Sequence, residues 1–540
     1  MSSQQFDGST LDLSRTGTDV VVGKGDLAFA PIPALTILFH PRVPRVGARA
    51  YLGQIVRGQE ARLSRLEPDF EQPGSQAPLN DPYLSRRPIR FLPVPDGIEI
   101  RPDEGHPRIT LNGEPVDGGR VISPAEIREG AVLEMAGRVV LLLHLFVAPR
   151  LPVRAPHGLV GESSAIAQVR AEIDRVADLA VPVLIRGATG TGKELVAQAI
   201  HAASRRSRGP FVSVNLGAIP PSLAASELFG AARGAYTGAV QAQDGYFRKT
   251  QGGTLFLDEI GETPQEAQAS LLRALEVGEI QPVGAQSALR VDVRVLAATD
   301  ADLEQRVQAG TFREPLLHRL AGYSIRLPPL RERRDDIGRL LVHFLRQELA
   351  ATGELEILER DSPLLWMKPA LMVRLARYGW PGNVRQLRNA VRQLAIGSRG
   401  LPQLRSSPGL ESLLGGGRPV EAGGGLPAAA PAVSGPAPFS RPAAARRRKP
   451  ADISQDELLA VLRAHRWRLK RAAEELGISR PSLYVLIERC PAIRKAGDLK
   501  VEEIVLCHRE CGGDLDLMVE HLKVSRDALH RRVRELGLAS

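Results

Sequence analysis

Hydrophobic and polar positions divide the chain into stretches with different periods. Between residues 28 and 150, short runs of aliphatic and β-branched residues (LTILF, IRFLPV, GIEI, RITL, VVLLLHLF) alternate with Pro- and Gly-containing turns. That pattern is typical of an all-β sandwich. Between residues 157 and 397, apolar runs of strand length alternate with helical stretches, which predicts an α/β domain. Residues 451–540 have a helical pattern, so an all-α region is expected there.

Two stretches lack such periodicity. Residues 1–27 are polar and Gly-rich and are predicted to be a flexible tail. Residues 398–450 contain GGGRP and AGGGLPAAAPAVSGPAP and end near the basic cluster ARRRK, which predicts a disordered linker. The longest apolar run, Val139–Ala148, is too short to cross a bilayer and is interpreted as a buried strand.

The C-terminal region contains an internal repeat. EELGISRPSLYVLIE at 474–488 matches EHLKVSRDALHRRVR at 520–534, and every matched residue lies 46 positions further on. A short turn between two helical patterns, with Ser479 or Ser525 placed to cap the second helix, is what a helix-turn-helix requires. The repeat therefore predicts two such units in tandem.

Charge and cysteine content narrow the class of protein. The formal net charge is +10, which favours a polyanionic partner, nucleic acid before membrane. Three cysteines in 540 residues indicate a reducing compartment, and the N-terminus lacks the pattern of a signal peptide, so we expect a cytoplasmic protein. Cys507 and Cys511 flank His508 at helical spacing; a metal pair is one interpretation, and ordinary helix positions are the favoured one.

A phosphate-binding loop follows an apolar strand in VLIRGATGTGKE at 183–194. Glycines allow backbone amides to turn towards phosphate oxygens, the next helix adds its dipole, and Lys193 neutralises phosphate charge. Glu194 takes the position that usually carries a Ser or Thr ligand of Mg²⁺. The predicted cradle for ATP consists of Gly187, Ala188, Thr189, Gly190, Thr191, Gly192, Lys193 and Glu194.

A second buried strand, GGTLFLDEI at 252–260, ends in two acids. At the carboxyl end of a strand Asp258 can hold Mg²⁺, and Glu259 can orient the attacking water. Together with the phosphate loop, the pair predicts an ATPase with ATP and Mg²⁺ as substrate and metal.

The order of motifs in 159–397 resembles the central AAA+ domain, with its small helical lid, of sigma-54-dependent transcriptional activators. The motifs are LVGESSAIAQV, GATGTGKE, FVSVNLGAI, ELFGAARGAYTGA, GGTLFLDEIGE, VRVLAATDADL, FREPLLHRL, LPPLRERRDDI and WPGNVRQLRN. The resemblance adds further nucleotide-binding residues: Val160, Gly161, Gly252, Gly253, Thr254, Thr299 and Arg385.

The same resemblance implies roles around the reaction. Asn215 would couple Glu259 to the γ-phosphate, Thr299 would act as a sensor, and Arg385 would sense nucleotide from the lid. Arg313 and Arg319 would act on the ATP of a neighbouring subunit, which implies a homo-oligomeric ring, a hexamer in this family.

The loop SELFGAARGAYTGA carries small residues and one aromatic ring. In the family the corresponding tip touches sigma-54, and nucleotide state raises or lowers it; the plain alternative is an ordinary surface loop. The implied sigma-54 contacts are Gly234, Ala235, Tyr236, Thr237, Gly238 and Ala239. Ordering such a loop is costly, which makes its engagement switchable.

Several positions depart from the family pattern. Tyr236 replaces Phe, Ala188 replaces Glu, Asp300 replaces Asn, and Pro315 replaces Asp where it would disturb a helix interior. Lys193 and the acids of the second strand are kept, so hydrolysis is expected to survive. Coupling to sigma-54 is left open, and the alternative is a DNA-bound regulator or phosphoprotein scaffold whose ATPase no longer drives sigma-54.

The flanking domains carry resemblances of their own. Residues 28–150 resemble a forkhead-associated domain, which binds phosphothreonine; the implied contacts are Ser85, Arg86 and Asn112, with a sandwich that binds only protein surface as the alternative. The C-terminal repeat resembles the Fis-type helix-turn-helix, with the second copy as the expected main reader. The implied DNA contacts are Ser479, Arg480, Tyr484, Ser525, Arg526, His530, Arg531 and Arg532.

The combined prediction is an activator that binds an upstream activating sequence and uses ATP hydrolysis to remodel sigma-54 RNA polymerase. A Ser/Thr kinase would control it through the N-terminal domain, and no membrane is involved.

Overall fold

The computed structural model describes residues 31–148, 157–235, 241–360, 364–415 and 501–511, together with scattered positions elsewhere in the C-terminal region. It divides into two compact units, 1–423 and 424–540. The first unit contains a β-sandwich, an α/β domain and a helical lid, and the second is helical where it is described.

The N-terminal domain is built from short antiparallel strands. Strands β1 to β12 are Ile32–Phe39, Arg49–Tyr51, Ala61–Leu63, Phe70–Gln72, Ser75–Ala77, Ile89–Val94, Gly97–Pro102, Ile109–Leu111, Glu114–Pro115, Arg120–Ile122, Ala131–Met135 and Val139–Phe146. Two short helices, α1 (Gly53–Val56) and α2 (Pro124–Glu129), lie between strands.

Two sheets form the sandwich. One has the order β5-β4-β2-β1-β12-β11-β8-β9 and the other β10-β7-β6-β3. Their facing sides share one apolar core, to which Leu35 and Leu141 contribute from the larger sheet and Phe91 and Ile100 from the smaller one. The predicted all-β sandwich is therefore confirmed.

Strand β12, at the centre of the larger sheet, is buried on both faces. Leu141 and Leu143 of β12 point into the sandwich, whereas Val140 and Leu142 belong to a core shared with the helical lid. A strand covered on both sides has no solvated face to alternate with, which explains its unbroken apolar sequence. Burial lowers the pKa of His144 in this strand to about 3, so the ring is neutral and bonds Thr36 Oγ1 at 2.8 Å.

The α/β domain contains a parallel sheet with the order β14-β15-β18-β13-β19. Its strands and an accompanying hairpin, β13 to β19, are Val183–Arg186, Phe211–Asn215, Thr254–Asp258, Glu279–Ile280, Leu289–Arg290, Arg294–Thr299 and Tyr323–Arg326. Helices α3 to α9 are Ser164–Val176, Lys193–Ala202, Ala224–Phe229, Tyr246–Lys249, Gln265–Val277, Leu303–Gln308 and Glu314–Leu320. This confirms the α/β prediction.

The lid follows the sheet in sequence. Helices α10 to α14 are Ile337–Thr352, Glu356–Glu359, Pro369–Arg377, Asn383–Gly397 and Pro408–Gly415. The predicted start of the linker at 398 is wrong, because Leu404 and Leu410 are buried in the lid core and Leu410 belongs to α14. Glycines and prolines in this stretch resemble linker composition, but the two leucines supply enough apolar surface to dock it.

In the second unit a helix spans Val501–Glu510, and the described positions of the repeat bury matching residues. Ala472 and Met518, Leu476 and Leu522, and Leu483 and Leu529 are all buried, and each pair has the repeat spacing. Both copies thus use the same apolar positions. Among the residues that the structure describes, no group of three or more His, Cys, Asp or Glu side chains could hold a metal ion, and Cys507 Sγ lies 3.8 Å from Cys511 Sγ.

No helix within the described ranges is both long enough and apolar enough to span a bilayer.

Candidate nucleotide site

The phosphate loop links β13 to α4. Gly190 and Gly192 have φ angles of +78° and +106°, which other residues adopt only with strain. Thr191 Oγ1 donates to Ala188 O at 2.8 Å, which closes the turn. Lys193 begins α4, and its Nζ donates to Gly187 O at 2.8 Å. The ammonium is thereby held at the mouth of the loop, where it can meet a phosphate.

Parallel register brings the other predicted groups to the same edge of the sheet. Arg186 is paired with Thr299 across β13 and β18, and Asn215 is paired with Asp258 across β14 and β15. The Gly187 amide donates to Thr299 O at 3.2 Å. The carboxyl ends of four adjacent strands therefore place the phosphate loop, the sensor and the two acids side by side, as in other open α/β sheets.

An acidic cavity of about 340 Å³ opens at this edge; it is lined by Gly217, Glu259, Gly261, Glu262, Thr299, Asp300 and Ala301. Glu259 has a φ of +55°, an uncommon conformation for a residue with a side chain, and its amide donates to Asp258 Oδ1 at 3.0 Å. The backbone thus turns sharply after Asp258, so that the two adjacent carboxylates face different parts of the site.

Three acidic side chains act electrostatically on Lys193. Burial lowers the pKa of Lys193, whereas the carboxylates of Asp300, Asp258 and Glu259 act in the opposite direction. Asp300 has the largest influence of the three. It also accepts a hydrogen bond from Thr189 Oγ1 of the phosphate loop. The departure at position 300 therefore places a charge inside the site.

Asn215 lies beside Glu259 without a described hydrogen bond to it. Asn215 Oδ1 accepts from the Ala218 amide at 3.2 Å and so caps a short 3-10 helix. A Cβ at Gly217 would collide with the Glu259 carboxylate and lie 3.3 Å from Asn215 Oδ1. The two side chains thus flank one glycine, and the coupling between them stays a prediction.

The lid contacts the phosphate loop through residues that include the predicted Arg385. The Arg385 amide donates to Gly190 O at 3.2 Å, and Asn383 Nδ2 donates to Thr189 O at 2.9 Å. Asn383 Oδ1 also accepts from the Leu330 amide at 2.8 Å, and Arg333 Nη2 donates to Thr191 O at 3.3 Å. Sequence reasoning missed Asn383 and Arg333, although both lie in motifs it had singled out.

The predicted residues Val160 and Gly161 lie in a strap, residues 159–163, that precedes α3. Asp336 Oδ1 accepts from the amides of Glu162 (2.6 Å) and Ser163 (2.9 Å). Arg170 Nη2 donates to Gly161 O at 2.8 Å. The strap is thus held by Asp336 and Arg170, neither of which was predicted.

One group of predicted nucleotide contacts is wrong. Gly252, Gly253 and Thr254 lie at the amino end of β15, whereas Asp258 lies at its carboxyl end. Thr254 is fully buried and its Oγ1 lies 2.9 Å from His201 Nδ1 at the end of α4. A five-residue strand spans about 13 Å, so these residues are at the opposite edge of the sheet from the phosphate loop.

Glu194 is exposed in the first turn of α4, with Oε1 3.5 Å from Gln198 Nε2. In the described structure no bond ties it to Asp258, so Asp258 and Glu259 at the end of β15 remain the candidate metal ligands. Their carboxylate oxygens are the ligands that Mg²⁺ prefers, and the exposed cavity leaves room for waters.

The two candidate finger arginines are exposed, Arg313 directly before α9 and Arg319 within it. Arg319 Nε donates to Leu275 O at 2.9 Å, and the Arg313 amide donates to Gln268 Oε1 at 2.8 Å. The expected disturbance by Pro315 is wrong, because Pro315 is the second residue of α9. In the first turn its missing amide has no partner within the helix to lose.

Described residues on both sides of the predicted sigma-54 loop are tied to one another. Ala231 pairs with Gln243 and Val283, and Phe229 stacks on Phe247 with ring centroids 5.6 Å apart. Gly234 has a φ of +79°, and the Ala235 amide donates to Ala232 O at 3.1 Å. Tyr236, Thr237, Gly238 and Ala239 lie outside the described residues.

The three predicted phosphopeptide residues lie in different surroundings. Ser85 Oγ accepts from the Arg87 amide at 2.9 Å, and Arg86 is exposed beside it. Asn112 Oδ1 accepts from the Val132 amide at 2.9 Å, and its carbonyl accepts from Arg377 of the lid. Since the Asn112 side chain supports its own sheet, the structure does not join it to Ser85. The predicted DNA contacts are all outside the described residues.

The parallel sheet, the phosphate loop and the lid resting on it define an AAA+ P-loop ATPase. Residues 159–326 match the sigma-54 interaction domain, and residues 331–403 match the AAA+ ATPase lid domain. Residues 449–488, which contain the first repeat copy, match the Fis family of bacterial regulatory proteins. The ATPase is thus of the sigma-54 interaction type, and the Fis-type prediction is confirmed for the first copy.

Two similar proteins are named as transcription regulators, which is consistent with these family matches. The chain is 48% identical over 242 residues to the DNA-binding transcriptional regulator NtrC of Escherichia coli (strain K12), covering 45% of this chain and 50% of that protein. It is 42% identical over 343 residues to the nitric oxide reductase transcription regulator NorR1 of Cupriavidus necator, covering 61% and 63%. The chain therefore spans about half the length of the NtrC relative.

Among solved structures, NtrX from Brucella abortus in complex with ADP is similar over 70% of each chain, with 31% identity and a TM-score of 0.43.

The charge of Asp300 leads to a prediction about metal dependence. Replacing Asp300→Asn is expected to raise the affinity for metal-free ATP about tenfold, because it removes one negative charge near the phosphates. Affinity with Mg²⁺ should change less, so the gain in affinity on adding Mg²⁺ shrinks. Titrating a fluorescent ATP analogue with and without Mg²⁺ measures both values.

Asp302→Asn is the matched control, since Asp302 caps α8 through the Gln305 amide at 2.9 Å. Equal metal dependence in wild type and Asp300→Asn would show that the carboxylate does not act on the phosphates.

Proposed function

We propose that this protein is a sigma-54-dependent transcriptional activator that binds DNA and uses ATP hydrolysis to remodel sigma-54 RNA polymerase. The observation that carries the proposal is that the phosphate loop and Asp258 share one domain with a small-residue loop that lies between them in sequence, and whose flanking residues Ala231 and Gln243 are paired. Such a loop lies within the ATPase itself, so nucleotide state can reach it directly.

The site supports the following chemistry. Lys193 and the amides of the phosphate loop bind the phosphates of ATP, and Asp258 and its neighbours would hold Mg²⁺, which neutralises developing charge. Glu259 faces the acidic cavity, where it can orient a water and accept its proton. Arg385 and Asn383 approach the phosphate loop from the lid, so closure of the lid is sensitive to what the loop holds.

Two arginines support a ring. Arg313, directly before α9, and Arg319 within it are exposed, where a neighbouring subunit could present its own ATP to them. We propose a homo-oligomeric ring, hexameric as the family resemblance implies, in which these side chains act in trans.

DNA binding is proposed for the C-terminal unit. The first repeat copy matches the Fis family, and the second buries the same apolar positions. A polar, basic recognition helix is what a major groove accepts, and the sequence of the second copy supplies the basic residues. Binding to an upstream activating sequence would place the ring near its polymerase.

Control by a phosphopeptide is a further part of the proposal. Ser85 and Arg86 are neighbours in the loop between β5 and β6 and could receive a phosphothreonine. Asn112 is not part of this subsite, since it serves its own sheet and touches the lid. The proposed partner is a protein phosphorylated by a Ser/Thr kinase.

The sigma-54 proposal is tested by measuring whether the protein retains sigma-54 in a stable complex. Purified protein with ADP and aluminium fluoride, which together mimic the transition state of hydrolysis, should hold sigma-54 in a stable complex. Thr237→Ala should abolish retention while ATP hydrolysis continues. Thr311→Ala, an exposed threonine elsewhere in the same domain, should retain sigma-54 as wild type does.

If wild type hydrolyses ATP normally but retains no sigma-54, the alternative is favoured. The protein would then be a DNA-bound regulator or phosphoprotein scaffold whose ring acts on another client.

A further inference from the structure

Arg49 of the sandwich contacts three parts of the first unit at once. Its Nη2 donates to Asp335 Oδ2 at 2.8 Å and lies 3.4 Å from Glu162 O of the strap. Its Nε donates to Thr36 Oγ1 at 3.1 Å, and its guanidinium lies 4.4 Å from the ring centre of Phe146. Arg49 is only 8% exposed, so this arrangement is inside the protein.

The lid segment that receives Arg49 also reaches the nucleotide site. Arg333 donates to the phosphate loop at Thr191 O, Asp335 pairs with Arg49, and Asp336 holds the strap. These lid residues are 4%, 7% and 1% exposed. Because they belong to four consecutive positions, a shift of the segment at Asp335 moves its contacts with both the strap and the phosphate loop.

A second arginine ties the same parts together from the lid side. Arg339 of α10 donates to Gly47 O of the sandwich at 2.6 Å and pairs with Glu162 of the strap at 2.9 Å. The sandwich is further attached by Trp366, whose Nε1 donates to His40 O at 2.9 Å. The sandwich therefore bridges the lid and the α/β domain rather than resting on one of them.

We propose that Arg49 is a positioning residue of the ATPase, contributed by the N-terminal sandwich. It holds Asp335 and the Glu162 carbonyl, and through them it sets the strap bearing Val160 and Gly161 against the phosphate loop. The inference rests on the proposed ATPase function and adds that the N-terminal domain completes the nucleotide site. A signal that displaces the sandwich would then change nucleotide affinity directly.

Because the Arg49–Asp335 ion pair is buried, its removal is expected to have a measurable effect. Burial raises the pKa of Asp335, and Arg49 opposes that rise. Removing one partner of a buried ion pair leaves an uncompensated charge, whereas replacing both partners by apolar residues is often neutral. The two kinds of variant therefore separate loss of positioning from loss of stability.

The test uses the full chain. Arg49→Met is expected to raise the KM for ATP and the Kd of a fluorescent ADP analogue about tenfold, with kcat changed less, because positioning of bound nucleotide is lost. Arg49→Lys should recover part of the affinity, since it keeps the charge but not the fork that reaches Thr36, Asp335 and Glu162 together. The double variant Arg49→Met, Asp335→Leu should fold and still show the weaker affinity.

Arg138→Met is the matched control, because Arg138 pairs with Asp81 entirely within the sandwich, with side chains 15% and 3% exposed. It should lower the thermal midpoint without changing nucleotide affinity. If all Arg49 variants bind nucleotide as wild type does, Arg49 is only structural and the inference is overturned. Failure of the proposed function is separate, since wild type would then bind nucleotide but retain no sigma-54.

Discussion

Replacing Lys193→Ala should abolish useful nucleotide binding. The ammonium is the positive group at the mouth of the phosphate loop, and its loss leaves the carboxylates of Asp300, Asp258 and Glu259 facing the phosphates without it. Losing one partner of a buried charge pair costs about 2–5 kcal/mol, so affinity for ATP should fall by a factor of about 30 to 4,000. Binding of a fluorescent ATP analogue measures this directly.

The fold should survive this change, because the described bond of Lys193 Nζ goes to Gly187 O in its own loop. Lys249→Ala is the matched control: Lys249 is exposed on α6, 5.1 Å from the Tyr246 ring centre. The assignment of the phosphate site would be contradicted if Lys193→Ala bound ATP within a few-fold of wild type while both variants had the same thermal midpoint.

The core of the nucleotide site could be predicted because its signals are local. A strand followed at once by Gly187, Gly192 and Lys193 specifies both the turn and the charge within a few residues. Asp258 is recognisable in the same way, as an acid directly after a buried strand. Parallel register then brings these segments together without further information from sequence.

The errors have physical causes. Gly252 and Thr254 belong to the same motif as Asp258, but a strand carries its two ends to opposite edges of the sheet. By residue type alone Pro315 predicts a disturbed helix, but α9 begins at Glu314, and a helix accepts proline in its first turn. In both cases the role of the residue depends on its position along the strand or helix, which the residue type does not give.

Contacts between domains were not predictable from the pattern. The unbroken apolar run of β12 shows that both faces are buried, but not that lid helices cover the outer one. Arg49 and Asp335 are 286 positions apart, and each looks like a surface charge in sequence. Asp336 and Asn383 likewise acquire their roles only when the lid closes on the strap and the phosphate loop.

The last prediction concerns Glu259. Glu259→Gln should reduce ATP hydrolysis by about 10²–10⁴-fold, because an amide cannot accept the proton of the attacking water. ATP binding should stay near wild type, since Gln has the same shape and Lys193 is untouched. Steady-state hydrolysis and analogue binding on the same preparation separate the two effects.

Glu262→Gln is the matched control, since Glu262 lines the same cavity but pairs with Arg306. Its hydrolysis should stay within a few-fold of wild type. If Glu259→Gln hydrolyses ATP at the wild-type rate, Asp300 becomes the candidate base, because it is exposed next to Thr299 in that cavity, whereas Glu262 pairs with Arg306. A variant that binds but does not hydrolyse should also retain sigma-54 with ATP alone, so the same protein tests whether the loop responds to bound nucleotide or to its hydrolysis.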